Sequence, residues 1–99
     1  MNMRELQRMQ QKLMKMQEEL ETTNFTGTAG GGAVTLIMSG KFEIVDVKID
    51  PEAFDAEDIA ELEIMVKAVA KDAFTRVTDA QQKLVSNATG GMRLPGGLF

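Results

Sequence analysis

Between residues 59 and 84 the apolar side chains Ile59, Leu62, Val66, Val69, Ala73, Val77, Ala80 and Leu84 recur at spacings of three and four. A sustained pattern of this kind belongs to one amphipathic helix with a heptad-like seam. One surplus four-residue step is a stutter, which locally unwinds a coiled coil. The helix is expected from about residue 56 to about residue 87, and some 30 residues make about 45 Å of helix. Nothing else in 99 residues constrains the fold as strongly. Three strands of about six residues form a sheet only about 15 Å wide and about 20 Å long. The helix must therefore overhang any sheet this chain can build.

A second helix is expected at the start, over about residues 3–22. Leu6, Met9, Leu13, Met16 and Leu20 form its apolar seam. Arg4, Arg8, Lys12 and Lys15 recur at four, four and three. At about 100° per residue they fall within an arc of roughly 80°, about 120° around the helix from the seam. Glu5 is the one acid placed to pair with them, since Glu18, Glu19 and Glu21 lie beyond the stripe. A charged helix face is usually just a solvated face. Here the cations are compact and nearly unpaired, which favours a polyanion partner.

Between the helices, about residues 24–49 read as three strands. Thr22, Thr23 and Asn24 shift the chemistry to β-branched and turn residues. Phe25–Thr28 is a short first strand, and Gly30–Gly32 reads as a hairpin connection. A phosphate cradle there would need a Lys and a following helix, which are missing. Val34–Met38 is the second strand, Ser39–Gly40 a tight turn, and Phe42–Ile49 the third strand. A two-residue turn would set Val34 opposite Val45, with Val47 and Ile49 on the same face. Ile37, Phe42 and Ile44 would then share the other face, so either a bulge shifts the register or both faces are partly covered. Asp50–Pro51 is a helix-start signal, and Asp55 is a second N-cap before the long helix. Gly90 and Gly91 end that helix, and residues 90–99 form a Gly/Pro tail.

This is an α+β pattern in a single domain spanning 1–99: N-terminal helix, three-stranded antiparallel sheet, long C-terminal helix. Both seams run past the reach of the sheet, and one sheet edge is unpaired. A second copy of the chain is the natural cover, so a homodimer is expected.

Composition excludes several functions. Without Cys there is no disulfide, thiolate metal site or cysteine nucleophile. Without His the commonest general base and metal ligand is missing. Acids crowd residues 50–63, where helix starts favour them, and no calcium-loop pattern is present. No enzyme activity, metal, cofactor or small-molecule substrate is expected. No apolar run nears the roughly 18 residues of a membrane span. The opening MNMRELQRMQ is polar, unlike a signal peptide, so the expected compartment is the cytoplasm. The formal net charge of −4 is unevenly spread. Residues 1–17 carry four cations against Glu5, residues 18–63 twelve acids against Lys41 and Lys48, and residues 64–99 five cations against Asp72 and Asp79.

Several stretches carry a family likeness: LMKMQEELE at 13–21, FTGTAGGGAVTL at 25–36, VKIDP at 47–51 and GGMRLPGG at 90–97. In this order and spacing the chain resembles the YbaB/EbfC family of bacterial nucleoid-associated proteins. Residue 1 is expected to lead directly into the helix, where some relatives carry a Gly-rich leader. The resemblance implies a tweezer-like homodimer, with paired sheets and projecting helices, that binds DNA in the nucleoid. It brings no catalytic residues. Together with the stripe it points to duplex DNA as the partner, met by Arg4, Arg8, Lys12 and Lys15. Lys67 and Lys71 form a weaker second ridge that also reads as simple surface solubility. The seams of Leu6, Met9, Leu13, Met16 and Leu20 and of Leu62, Val66 and Val69 serve the core or the dimer. Such a protein would influence nucleoid organisation and gene expression. The competing reading is a coiled-coil chaperone or adaptor of prefoldin-like layout, which would want two long helices of matched length.

Overall fold

The computed structural model describes residues 2–88. Helix α1 spans Met3–Thr22. Asn2 caps its start by accepting the Glu5 N–H, and Glu5 sits in the first turn where a carboxylate suits the helix dipole. At its end the Thr22 and Thr23 hydroxyls donate back to the Glu18 and Glu19 carbonyls, and the chain turns extended. Strands β1 (Asn24–Ala29), β2 (Val34–Ser39) and β3 (Ile44–Ile49) form an antiparallel sheet in sequence order. Helix α2 spans Ile59–Ala88. A helix, three antiparallel strands and a long helix is the α+β architecture expected.

The β1–β2 turn is the triple glycine. All three residues have positive φ, at 62°, 67° and 97°, a region other L-residues rarely adopt. The β2–β3 connection differs from the expected two-residue turn. Ser39 pairs instead with Glu43, its N–H reaching the Glu43 carbonyl at 2.8 Å. The buried Ser39 hydroxyl accepts the Lys41 and Glu43 N–H groups inside the loop, and Phe42 takes φ 65°. The register moves accordingly. Val34 lies opposite Ile49, not Val45, and Leu36 lies opposite Val47. A bulge between Ile37 and Met38 then sets Met38 opposite Ile44 and leaves Val45 without a partner. Ile44 therefore shares the face of Val34, Leu36 and Met38, where the two-residue turn had put it on the other side.

That face holds the core. Val34, Leu36 and Met38 are buried against Val69, Ala73 and Val77 of α2, with Phe25, Ala29, Phe54, Leu62 and Met65 packed around them. Helix α2 comes down tightly on the sheet at Gly27. A Cβ there would lie 2.7–2.9 Å from Ala73 N, Cα and Cβ, so only glycine lets α2 settle on β1. The core-facing line on α2 is Leu62 and Met65, both partly buried, then the buried Val69, Ala73 and Val77. Val66 was expected in the seam but stays 42% exposed. The reason is where the helix lies: α2 packs on β1 and β2 and leaves the side toward β3 uncovered. Asp50 caps a single turn at Pro51–Ala53, as expected. The cap of α2 itself is Asp58, which accepts the Glu61 N–H, while Asp55 caps the preceding turn through Glu57 N–H. The helix thus starts three residues later than the Asp55 signal implied.

Only part of the apolar surface is covered. On the core side of β3, Ile44, Val47 and Ile49 are 43–61% exposed. The chain measures 65 × 27 × 16 Å, with a radius of gyration of 18.2 Å, where a compact chain of this length would have about 13 Å.

Candidate nucleic-acid interface

Helix α1 is joined to the rest of the chain at its C-terminal end. Leu20 lies against Gly40, and the two line one cavity with Leu84 and Val85 of α2. Gly40 donates its N–H to the Thr23 carbonyl and accepts a hydrogen bond from Gln81 Nε2 of α2. Farther out, Leu13 and Met16 are half-buried, and Asn87 of α2 borders the same groove. No residue of α1 is fully buried. The helix projects as an arm past the last described turn of α2, with its apolar face toward that helix.

A neighbouring face, about 120° around the helix, presents the cations, with Lys12 at the border of the two. Arg4, Arg8, Lys12 and Lys15 are all exposed. Among the described residues none of them joins an ion pair; Glu5 does not close on Arg8. The four charges are therefore available to an external anion. Lys67 and Lys71 are also exposed, but the structure does not bring them to this ridge. Lys71 lies 16 residues before Asn87, about 24 Å along α2. Lys83 is nearer the arm, exposed, and without an ion pair to Asp79. Sequence reasoning counted Lys83 among the five cations of residues 64–99 and gave it no part in the site.

Arg76 has a different task. Its Nε is 3.2 Å from Asp72 Oδ2, and the same oxygen accepts the Thr28 N–H at 2.9 Å. The Thr28 hydrogen bond, then the Arg76 contact, hold the Asp72 carboxyl below its usual pKa. The trio fastens α2 to the outer edge of β1. The acids of residues 50–63 show capping roles at Asp50, Asp55 and Asp58. Among the described residues no cluster of three or more acids converges on a metal-sized site. No described helix is long and apolar enough to cross a membrane. Gly90, Gly91, Arg93 and the Gly/Pro tail lie outside the described residues.

The fold and sequence have relatives. The chain is similar to a nucleoid-associated protein of Dictyoglomus turgidum, 40% identical over 98% of this chain and 93% of that protein. It is 43% identical to one from Clostridium botulinum, over 95% of this chain and 83% of that protein. The crystal structure of the uncharacterized protein HP0035 from Helicobacter pylori superposes with a TM-score of 0.74 at 26% identity, covering 91% of this chain and 99% of the other. The YbaB/EbfC DNA-binding family model matches residues 1–92, and the chain belongs to that family.

Proposed function

We propose that this chain is a non-enzymatic, nucleoid-associated protein that binds duplex DNA as a homodimer, with the basic face of α1 on the phosphates. The observation that carries this reading is the set of four exposed, unpaired cations on one side of a projecting helix, in a chain whose net charge is −4. Such a layout directs an anion to one surface while the acidic remainder keeps the protein soluble. Phosphate contacts position a protein without reading sequence. Binding of that kind covers DNA broadly and acts on nucleoid shape and on the genes it covers. It places the protein in the cytoplasm, on the nucleoid. Lys67 and Lys71 contribute less, since they lie far along α2 from the arm.

The dimer follows from the uncovered face. Ile44, Val47 and Ile49 extend the core surface beyond α2. The outer edge of β3 is a poor template for strand addition, because Val45 is bulged and Asp46 Oδ1 already accepts the Val47 N–H. A second copy is therefore expected to cover the face, not extend the edge. The prefoldin-like alternative wants helices of matched length, whereas α1 has 20 residues and α2 has 30.

The test is the quadruple variant Arg4→Gln, Arg8→Gln, Lys12→Gln, Lys15→Gln, titrated on duplex DNA at several salt concentrations. Gln is a good helix former, and no seam residue changes. Each lost phosphate contact removes about 0.9 from the slope of log K against log salt, so a dimer losing eight contacts should lose most of its salt dependence. Binding should weaken for every DNA sequence. A variant that binds like the parent moves the interface to α2 or the tail.

A further inference from the structure

Helix α1 has a third face, which neither the seam nor the cations occupy. At about 100° per residue, Met3, Gln7, Gln11 and Met14 fall within an arc of roughly 80°, about 100° from the centre of the cationic stripe and about 140° from that of the seam. Gln7 and Gln11 are exposed, and Met3 and Met14 are 73% and 59% exposed. Among the described residues neither amide has a hydrogen-bond partner. The face carries no charge over residues 3–14, and Glu18 and Glu21 bring acids to it only toward the root of the arm. Two exposed amides set among two exposed thioethers match poorly to a merely solvated face, which is polar or charged throughout.

They match the edges of bases. The major groove of B-DNA is about 12 Å wide and admits one α-helix of about 10–12 Å diameter. A helix lying there turns one face to the base edges, its flanks to the phosphate walls and its back to the protein. The cations stand about 100° from the amide face, where a wall runs, and the seam turns back toward the body of the chain. Adenine offers N7 as an acceptor and N6 as a donor, and a carboxamide meets both at once. The thymine methyl group takes apolar contact. Gln7 and Gln11 are four residues apart, about 6 Å along the axis, or about two base-pair steps of 3.4 Å.

We infer that Gln7 and Gln11 read A·T pairs from the major groove, with Met3 and Met14 beside thymine methyl groups. Helix α1 then sets a sequence preference on top of its phosphate contacts. The inference rests on the proposed reading of α1 as the arm that meets duplex DNA.

The experiment uses the full chain. Selection by the parent protein from a pool of random-sequence duplexes supplies a preferred duplex, which is compared with a scrambled one of the same composition. The parent should favour the selected duplex by roughly tenfold or more, since a bidentate amide–adenine pair discriminates on that order. Gln7→Ala with Gln11→Ala keeps a strong helix former at both positions. This variant should bind both duplexes alike, at the parent's affinity for the scrambled one and with the parent's salt slope, because no phosphate contact is lost. Replacing adenine by 7-deazaadenine in the selected site removes the N7 acceptor. The parent should then lose its preference, and the variant should not change. A parent that enriches no sequence, or a double variant that keeps the preference, would overturn the inference and leave phosphate binding by Arg4, Arg8, Lys12 and Lys15 standing. A parent that binds no duplex at all would overturn the proposed function and the inference with it.

Discussion

Leu36 and Val47 face each other across β2 and β3 on the same side of the sheet, yet Leu36 is 3% exposed and Val47 is 44% exposed. The two sites differ in what lies above them. Over β1 and β2, α2 comes within backbone contact at Gly27 and Ala73 and seals the layer. Over β3 it is absent. One chain thus finishes half of its core tightly and leaves the other half as apolar surface. Contiguous apolar surface of this kind marks an interaction site. Stability of the sealed half should belong to the protomer, and stability of the open half to the assembly.

The largest expected effect tests the sealed half. Gly27→Val places side-chain carbon where Ala73 backbone already lies, and backbone has little room to yield. Overpacking of this sort costs about 1–3 kcal/mol, and here the upper end or more is expected. The urea midpoint, followed by circular dichroism, should fall sharply. An unchanged midpoint would show that α2 can ride higher on the sheet than its contact with β1 implies.

The open half should respond differently to an equally severe change. Ile44→Lys with Val47→Lys adds charge where a single chain already meets solvent, so helix content should survive. What should be lost is association, at about 1.5–3 kcal/mol for each apolar side chain no longer buried. Light scattering after size exclusion should show a monomer for the variant and the proposed dimer for the parent. A variant that stays dimeric would place the interface elsewhere, and a parent that is itself a monomer would remove the basis of the comparison.

The smallest effect sharpens the boundary between the halves at the β1 edge. The Asp72 carboxyl is held below its usual pKa, so its contribution is complete above the unfolded value of about 3.9 and is lost as pH falls through the lower folded value. Asp72→Asn keeps an acceptor for the Thr28 N–H and loses the Arg76 ion pair. Melting temperatures of parent and variant should differ slightly and constantly above about pH 5 and converge below about pH 4. A difference that persists unchanged at pH 3 would assign the effect to packing instead of charge.

The sequence made some of this visible and hid the rest for identifiable reasons. Helix α1 was legible at about residues 3–22 from its seam and the closing threonine pair, and the Asn2 cap that fixes its start was not singled out. Three strands and the glycine turn were legible from alternation and glycine. The β2–β3 register was not. Its loop closes through the side chain of Ser39 and a positive φ at Phe42, and neither belongs to the composition of a tight turn. The helix seam was read as a heptad including Val66, when the sheet selects a line through Met65 instead. Periodicity locates an apolar face to within one helical position, and only the sheet's placement picks the line within it. Of the proposed interface, the basic stripe was visible as spacing. Its separation from Lys67 and Lys71 was not, because that depends on which end of α2 meets α1.

The attachment of α1 near Gly40 has a mechanical consequence. A rod held at one end turns a small angle into a large displacement at the other. Arg4 lies 16 residues from Leu20, about 24 Å along the axis, and Lys15 only five residues, about 7.5 Å. A tilt of about 10° at the root would carry Arg4 through about 4 Å and Lys15 through little more than 1 Å by that geometry. For any such tilt the four cations are graded in reach, with Lys15 moving least and Arg4 most. On the proposed reading of α1 as the DNA-contacting arm, a surface so graded would keep one end in register on a duplex while the other follows the local path of the phosphates.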